Sequence, residues 1–363
     1  TDLLENSLSV GSKNRLHQYQ TNLAITRGLD HPYFDKDVAN LLSKYILPGY
    51  NYNQVLSYLD SITDSDGHKF SRNLKIYSTT EEAMEKFSQE DYTSFRWNEN
   101  YRKSLEELKA EFSKLRLKPV TFGNDDDIKS ILPKLDTHSG YYWIISGKKY
   151  KGENLDGLFK VFTSEIKESF KTGSLNKPIL IGFRTQASGE YEDDGSETGT
   201  CKHKTRVVSM IDLVQIVAEL SFSKPIQDYM SRVNYYAGGK DPNLISSIIT
   251  NYRSRYIRFM SIDYSSFDQT ISSWLIEDAF DIIYSAFRMN EFQRQQFEVI
   301  KHDFIHKDFI LSQGILHSDK GVPSGSMFTQ IIDSIVNVLV VRTFFNSIGQ
   351  KADMIVMGDD NAI

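Results

Sequence analysis

Cysteine is almost missing. The 363 residues hold one, Cys201, so no disulfide can form within the chain, a disulfide-stapled fold is excluded and a reducing compartment fits. Proline is sparse, eight residues against 21 glycines, which suits a compact globule with few proline-rich linkers. Uncharged apolar runs of about 18 residues or more are absent, so the sequence offers no membrane span. The first residues, Thr1-Asp2-Leu3-Leu4-Glu5, have neither the basic nor the apolar region of a signal peptide. They also lack an initiator Met, so the chain is expected to start inside a longer one. Internal repeats and low-complexity blocks are absent as well.

What is there is ample for a core. Forty per cent of residues are apolar, 12% aromatic and 25% charged, which excludes a disordered or collagen-like chain and allows two or three domains. The net charge of −6 counts weakly against a nucleic-acid partner, because a basic channel can coexist with an acidic exterior. Bases gather at Lys148-Lys149-Tyr150-Lys151, at Lys202-His203-Lys204-Thr205-Arg206 and at Arg253, Arg255 and Arg258. Acids gather in Glu190, Glu192, Asp193, Asp194 and Glu197, which reads as a solvated loop.

Patterning predicts a helix from Thr80, with helix formers continuing to about Leu115. Tyr141–Ser146 and Pro178–Phe183 read as strands, Val207–Phe222 as a helix stopping near Lys224-Pro225, and Tyr256–Asp263 as a strand. A helix is predicted from about Gln269 to Arg288, and a long apolar one over Ser326–Ser347 with Gly349 as its C-cap. Met354–Met357 reads as a strand entering the turn-prone Gly358-Asp359-Asp360-Asn361. That hairpin has only three residues on its second arm, so the chain is expected to continue past Ile363.

Two carboxylates at a hairpin tip and a third, Asp263, ending a strand suggest one chemistry. Side by side in a sheet they would converge, and convergent carboxylates repel unless a cation lies between them. Oxygen ligands without His or Cys favour Mg²⁺ or Mn²⁺ over zinc. Two such ions serve in-line phosphoryl transfer, the chemistry of polymerases and nucleases. A Gly-Asp-Asp triplet turns up by chance in roughly one chain in ten of this length, so the joint order of the motifs must carry the weight. Asp263 alone could be a surface residue and Asp268 a helix cap. Between the acidic elements runs Gly321-Val322-Pro323-Ser324-Gly325-Ser326-Met327-Phe328-Thr329-Gln330, a loop entering the apolar helix. On that helix Thr329, Asp333 and Asn337 form a polar stripe at four-residue spacing. The stripe suits a hydrogen-bonded core, a set of caps, or a row of groups facing a ribose and its base.

Asp263-Tyr-Ser-Ser-Phe-Asp268, then Ser324-Gly325 with Thr329 and Asn337, then Gly358-Asp359-Asp360 resemble motifs A, B and C of viral RNA-dependent RNA polymerases. The 321–330 run most resembles those of small double-stranded RNA viruses: the partitiviruses and their cryspovirus and picobirnavirus relatives. Arg184 and the Lys202–Arg206 cluster sit where the family places motif F, and Leu135–Tyr141 is similar to motif G. The resemblance spans about 135–363 and implies an α+β, right-hand fold of fingers and palm, without the thumb. It divides the chain into an N-terminal extension with part of the fingers (1–134), fingers (135–255), palm (256–290), a finger insertion (291–318) and palm again (319–363).

By the same resemblance Asp263 and Asp359, with Asp360 nearby, would be catalytic and bind Mg²⁺, with Mn²⁺ as a substitute. Asp268 and Asn337 would read the ribose 2′-hydroxyl, with Ser324 and Thr329 positioning Asp268 and the nascent pair, and Gly325 among the nucleotide-binding residues. Arg206, Lys204, Lys202 and Arg184 would hold the triphosphate, and Thr137, Ser139 and Gly140 would guide the template. Asn361 departs from the small polar residue that usually follows the acidic pair, and reads as tolerated variation. The implied partners are template RNA, nascent RNA, NTPs and capsid protein, in a virion interior or in host cytoplasm during assembly, with no membrane. A reverse transcriptase is the nearest alternative, disfavoured by the polar Asp268 and Asn337. A non-catalytic RNA-packaging relative is another, disfavoured by the intact acidic set. A P-loop is disfavoured because Gly147-Lys148-Lys149 and Gly239-Lys240 lack the upstream Gly.

Overall fold

The computed structural model describes residues 7–24, 80–89, 94–192, 200–256 and 258–363, with side chains described there except at Ala24, Glu81, Ser94, 184–192 and 200–205. Helix α1 (Val10–Ala24) is followed by the short α2 (Thr80–Ala83) and α3 (Glu85–Ser88), then α4 (Glu99–Ser113), α5 (Asp125–Ile131), α6 (Tyr142–Ser146) and α7 (Leu158–Thr172). Strands β1 (Ile179–Glu192) and β2 (Thr200–Met210) lead into α8 (Leu213–Met230), α9 (Pro242–Arg255), α10 (Phe267–Thr270), α11 (Ser273–Ser285) and α12 (Glu291–Ile305). The chain ends in β3 (Lys307–Leu311), β4 (Gly314–Ser318), α13 (Thr329–Ser347), β5 (Ile355–Met357) and β6 (Asp360–Ala362). This is an α+β arrangement, as expected. Among the described residues no helix is long and apolar enough to cross a membrane.

Local chemistry explains where the helices start. Asn98 accepts hydrogen bonds from the Asn100 and Tyr101 N–H groups ahead of α4, and Asp212 accepts from Val214 N–H ahead of α8. Asn290 and Gln293 form a reciprocal capping box at α12. Helix α13 is apolar nearly all round and buried from Ile331 to Leu339, so it can only be a central strut. It packs with α11 against α4. The main sheet has the order β2-β1-β3-β4, with β1 and β3 parallel and the other pairs antiparallel. Strands β5 and β6 form a separate hairpin beside α13.

Several expectations need correction. The predicted helix from Thr80 to about Leu115 is broken into α2, α3, a 3-10 turn at Ser94–Trp97 and α4. Tyr141–Ser146 is largely helix, not strand. Only Tyr141 and Ile144 are buried, a spacing of three that suits a helical turn, and Gly147 closes it with a positive φ of 78°. Val207–Met210 belongs to β2, and the helix starts only at Leu213 and runs past Pro225 to Met230. Proline has no N–H for the carbonyl four residues back, but Val120 N–H donates to Ser221 C=O at 2.8 Å in its place. The helix predicted over Gln269–Arg288 is split at Ile271-Ser272. There Gly321 N–H donates to Ile271 C=O at 2.8 Å and Val322 N–H to Asp268 C=O at 2.6 Å, so the 321–330 loop takes carbonyls a continuous helix would have used. Gly349 does close α13, at φ 66°.

Candidate active site

The β5–β6 hairpin carries its acidic residues at the tip. Met357 pairs with Asp360 across a two-residue turn, and Gly358 supplies the positive φ of 66° that such turns require. Asp359 and Asp360 are exposed there. Helix α13 holds the turn by its backbone. Ser334 Oγ accepts from Gly358 N–H at 2.9 Å, and Asn337 Nδ2 donates to the carbonyls of Gly358, Asp359 and Asp360 at 2.9, 3.1 and 3.3 Å. Asn337 Oδ1 accepts from Tyr264 Oη and Asn361 Nδ2, each at 3.3 Å. Fully buried and fully used, Asn337 has nothing left for a ribose, so its expected role is corrected to that of a cradle for the hairpin.

The segment carrying Asp263 lies along β6, but of the predicted strand Tyr256–Asp263 the described residues 258–263 form no regular strand. Met260 and Ile363 exchange both backbone hydrogen bonds at 2.9 Å. The next pair in that register, Ile262 and Asn361, is joined through the Asn361 side chain instead. Ile262 N–H donates to Asn361 Oδ1 at 2.8 Å, and Asn361 Nδ2 donates to Ile262 C=O at 3.0 Å. The amide thus replaces a rung of the ladder, which explains both the irregular backbone and why asparagine is useful at this position. Asp263 is brought beside the hairpin, as expected. The carboxylates of Asp263, Asp359 and Asp360 do not, however, gather within 4.8 Å of one another; among the described residues that closeness is reached only by His306, His317 and Asp319.

Two further carboxylates face Asp359. Burial, then the charge of Asp359, raises Asp268 above the usual carboxylate range, with its own N–H and Arg206 partly offsetting them. Burial, then Asp268 and Asp359, pushes Asp333 well up, and its Oδ1 has no hydrogen-bond partner. Of the polar stripe, then, Asp333 and not Asn337 looks into the acidic site. The oxygen-only donors and the unpartnered buried carboxylate of Asp333 among like charges fit a hard divalent cation.

The 321–330 loop is clamped from both sides. Ser324 Oγ accepts from Ser209 N–H of β2 at 2.9 Å, and Thr329 Oγ1 donates to the carbonyls of Pro323 and Ser326 at 2.7 and 2.9 Å. Neither bonds Asp268, contrary to expectation; Val322 N–H does that through the Asp268 carbonyl. Glu219 of α8 was not singled out by sequence, although a lone acid in the apolar stretch Leu213–Phe222 is a signal in itself. It accepts from Ser326 Oγ and Met327 N–H at 2.8 Å and from Gln215 Nε2 at 3.1 Å.

Burial raises Glu219 from 4.5 to about 7 despite those three donors. Folding therefore takes up a proton between about pH 4.5 and 7, and this group makes stability fall as pH rises through that window. The penalty is fully developed above pH 7, at about 3 kcal/mol. Glu219→Gln is expected to lose that slope, so urea unfolding at pH 5 and pH 8 should show the wild type falling relative to the variant; parallel profiles would contradict the assignment.

The basic residues lie on the β1–β2 hairpin, where Arg184 stands opposite Arg206 and Gln186 opposite Lys204. Arg206 is exposed and its charge reaches Asp268, whereas the side chains of Arg184, Lys202 and Lys204 lie outside the described residues. The segment expected to guide template is held by bonds of its own. Ser139 is fully buried and donates to the carbonyls of Lys148 and Lys149 at 3.1 and 3.0 Å, so its expected template contact is corrected to a loop anchor. Gly140 has a φ of 65°, and a Cβ there would overlap the Ile211 carbonyl. Thr137 Oγ1 donates to Lys134 C=O at 2.7 Å.

Residues 197–363 match the family model described as viral RNA-dependent RNA polymerase. The RNA-directed RNA polymerase of Cryptosporidium parvum virus 1 (strain KSU-1) is 34% identical over 109 residues, which are 30% of this chain and 20% of that protein. The match thus spans a fifth of the relative's length. The resemblance read from motifs A, B and C is supported where the comparison reaches: residues 197–363, which carry those motifs, are similar to viral RNA-dependent RNA polymerases, that of Cryptosporidium parvum virus 1 among them.

Proposed function

We propose that the chain forms the fingers and palm of an RNA-directed RNA polymerase that replicates and transcribes a double-stranded RNA viral genome. The observation that carries this reading is the meeting of Asp268, Asp333 and Asp359, drawn from all three motifs, in one acidic site beside Arg206. In the reaction the 3′-hydroxyl of the growing strand attacks the α-phosphorus of an NTP, and the bond to pyrophosphate breaks. Asp263, Asp359 and Asp360 would hold Mg²⁺, which when bound as a pair supplies charge neutralisation for in-line transfer. Arg206, with Lys202, Lys204 and Arg184, binds the triphosphate. Asp268 takes the ribose 2′-hydroxyl, and Asp333 beneath it keeps that pocket polar. Single-stranded template follows the basic fingers by phosphate contact and stacking. Palm (256–290 and 319–363), fingers (135–255), a finger insertion (291–318) and an N-terminal extension (1–134) are the proposed parts. Capsid protein is the proposed partner and the virion interior the proposed location.

The test is RNA-templated incorporation of labelled nucleotides by the purified protein with Mg²⁺. Template-dependent synthesis preferring NTP over dNTP by at least about a hundredfold is expected, because a site built to bond a hydroxyl rejects the analogue that lacks it. Equal use of dNTP would point to a reverse transcriptase. No synthesis by folded protein, with Mn²⁺ and a primer also supplied, would favour the non-catalytic RNA-packaging reading.

A further inference from the structure

A second group of metal-ligand side chains stands on the β3–β4 hairpin, outside the acidic site. In the observed register Asp308 lies opposite His317 and Lys307 opposite Ser318, and the same register carried one step further sets His306 opposite Asp319. Positions two apart on a strand share a face, so His306, Asp308, His317 and Asp319 line one exposed face at the base of the hairpin. The distances are short. His306 Nδ1 is 2.6 Å and His317 Nε2 is 3.0 Å from the same oxygen, Asp319 Oδ1, while His317 Nδ1 is 2.8 Å from Asp308 Oδ1.

The pair of bonds at His317 is informative. In the neutral ring, donation from Nδ1–H to Asp308 leaves Nε2 with a lone pair facing a carboxylate oxygen, whereas a doubly protonated ring would donate from both nitrogens. Two acceptors at 3.0 Å need something positive between them. A carboxylate bonded to the far nitrogen of an imidazole is also the usual way a metal-binding histidine is oriented and made more basic.

We propose that His306 Nδ1, His317 Nε2 and Asp319 form a site for a zinc-class divalent cation, with Asp308 orienting His317. The three ligand atoms already lie within 4.8 Å of one another. Around a tetrahedral zinc with bonds of 2.0–2.1 Å they would be about 3.3 Å apart, so small side-chain rotations suffice. Imidazole nitrogens select zinc, cobalt or nickel over magnesium, and the exposed fourth position is open to water. The site joins the end of α12 to the residue two positions before Gly321. A bound cation therefore braces the start of the segment whose Gly321 and Val322 N–H groups hold Ile271 and Asp268. The inference stands independently of the polymerase reading.

The test is calorimetric titration of the purified protein with Zn²⁺ in excess Mg²⁺, supported by visible spectra with Co²⁺. One equivalent is expected to bind at micromolar or lower concentration, to raise the unfolding midpoint, and to give Co²⁺ bands typical of nitrogen ligation. His306→Ala and His317→Ala should each weaken binding at least about tenfold, and Asp308→Asn by about 10–100-fold although it removes no ligand. All four side chains are exposed, so the variants should melt like the parent when zinc is absent. Absence of stoichiometric zinc binding would overturn the proposal and leave a protonated His–Asp network. Undiminished binding by the His306→Ala/His317→Ala double variant would overturn it equally.

Discussion

Replacing Asp359 with asparagine is expected to lower RNA-templated nucleotide incorporation by at least about a thousandfold. The unfolding midpoint should stay within about 2 °C. The two halves of this expectation come from different atoms. The Asp359 side chain is exposed and makes no hydrogen bond among the described residues, so folding does not depend on it. Its carbonyl, which accepts from Asn337 and Asn361 at 3.1 and 3.4 Å, is unchanged by the substitution. What disappears is one negative charge at the tip, and with it the repulsion that helps raise Asp268 and Asp333. Both groups should then titrate nearer the ordinary carboxylate range, which carbon-detected NMR of labelled aspartate can read. Near-parental synthesis by the variant would remove Asp359 from the catalytic set. A large drop in midpoint would make it a structural residue instead.

Gly325→Ala is expected to cost about 2 kcal/mol or more of stability, because overpacking against fixed atoms is not relieved by a rotamer change. Synthesis should fall at least about a hundredfold, since small misplacements near reacting groups have effects of that size. A Cβ at Gly325 would overlap the carbonyl oxygen of Ser209, a backbone atom near the end of β2. The adjacent Ser209 N–H to Ser324 Oγ bond would be forced apart, and β2 is the strand that carries Arg206. Loop and basic strand would separate together, shifting Arg206 relative to Asp268. Gly182→Ala is the matched control: its Cβ would meet only Met210 Cε, at an ordinary 3.6 Å, and should be neutral. Equal midpoints and rates for the two variants, measured by calorimetry and by incorporation, would show that the loop can yield without consequence.

The acidic hairpin was readable in sequence because every one of its signals is local: a short apolar run, then a Gly-Asp turn followed at once by a second Asp. Helix α13 was readable for the same reason, its apolar length and its closing glycine. Spacing could place Thr329, Asp333 and Asn337 on one side of that helix, but not say which depth meets the hairpin carbonyls and which meets the carboxylates. That choice depends on where β5 and β6 dock, and it moved Asn337 from the expected ribose to the hairpin carbonyls and left Asp333 beside the carboxylates. Pro225 failed as a stop signal because its missing donor is supplied by Val120, more than a hundred residues earlier. The break at Ile271-Ser272 and the grip of Glu219 on Ser326 are likewise contacts between distant segments. The β-rich Tyr141–Ser146 misled because its two buried side chains are three apart, a fact visible only once the neighbouring surface is known.

Asn337 reaches the turn through three carbonyl oxygens, and every amino acid carries that oxygen. The location of the tip is therefore written into the helix rather than into the residues displayed on the tip. Gly358 must keep its backbone conformation, but positions 359 and 360 can exchange side chains without the turn moving. Descendants of this sequence, in nature or in a library, can thus alter the charge, size or ion preference of the acidic pair one substitution at a time. Each would present its new side chain at the same address, so the chemistry of the site can drift while its architecture is inherited intact.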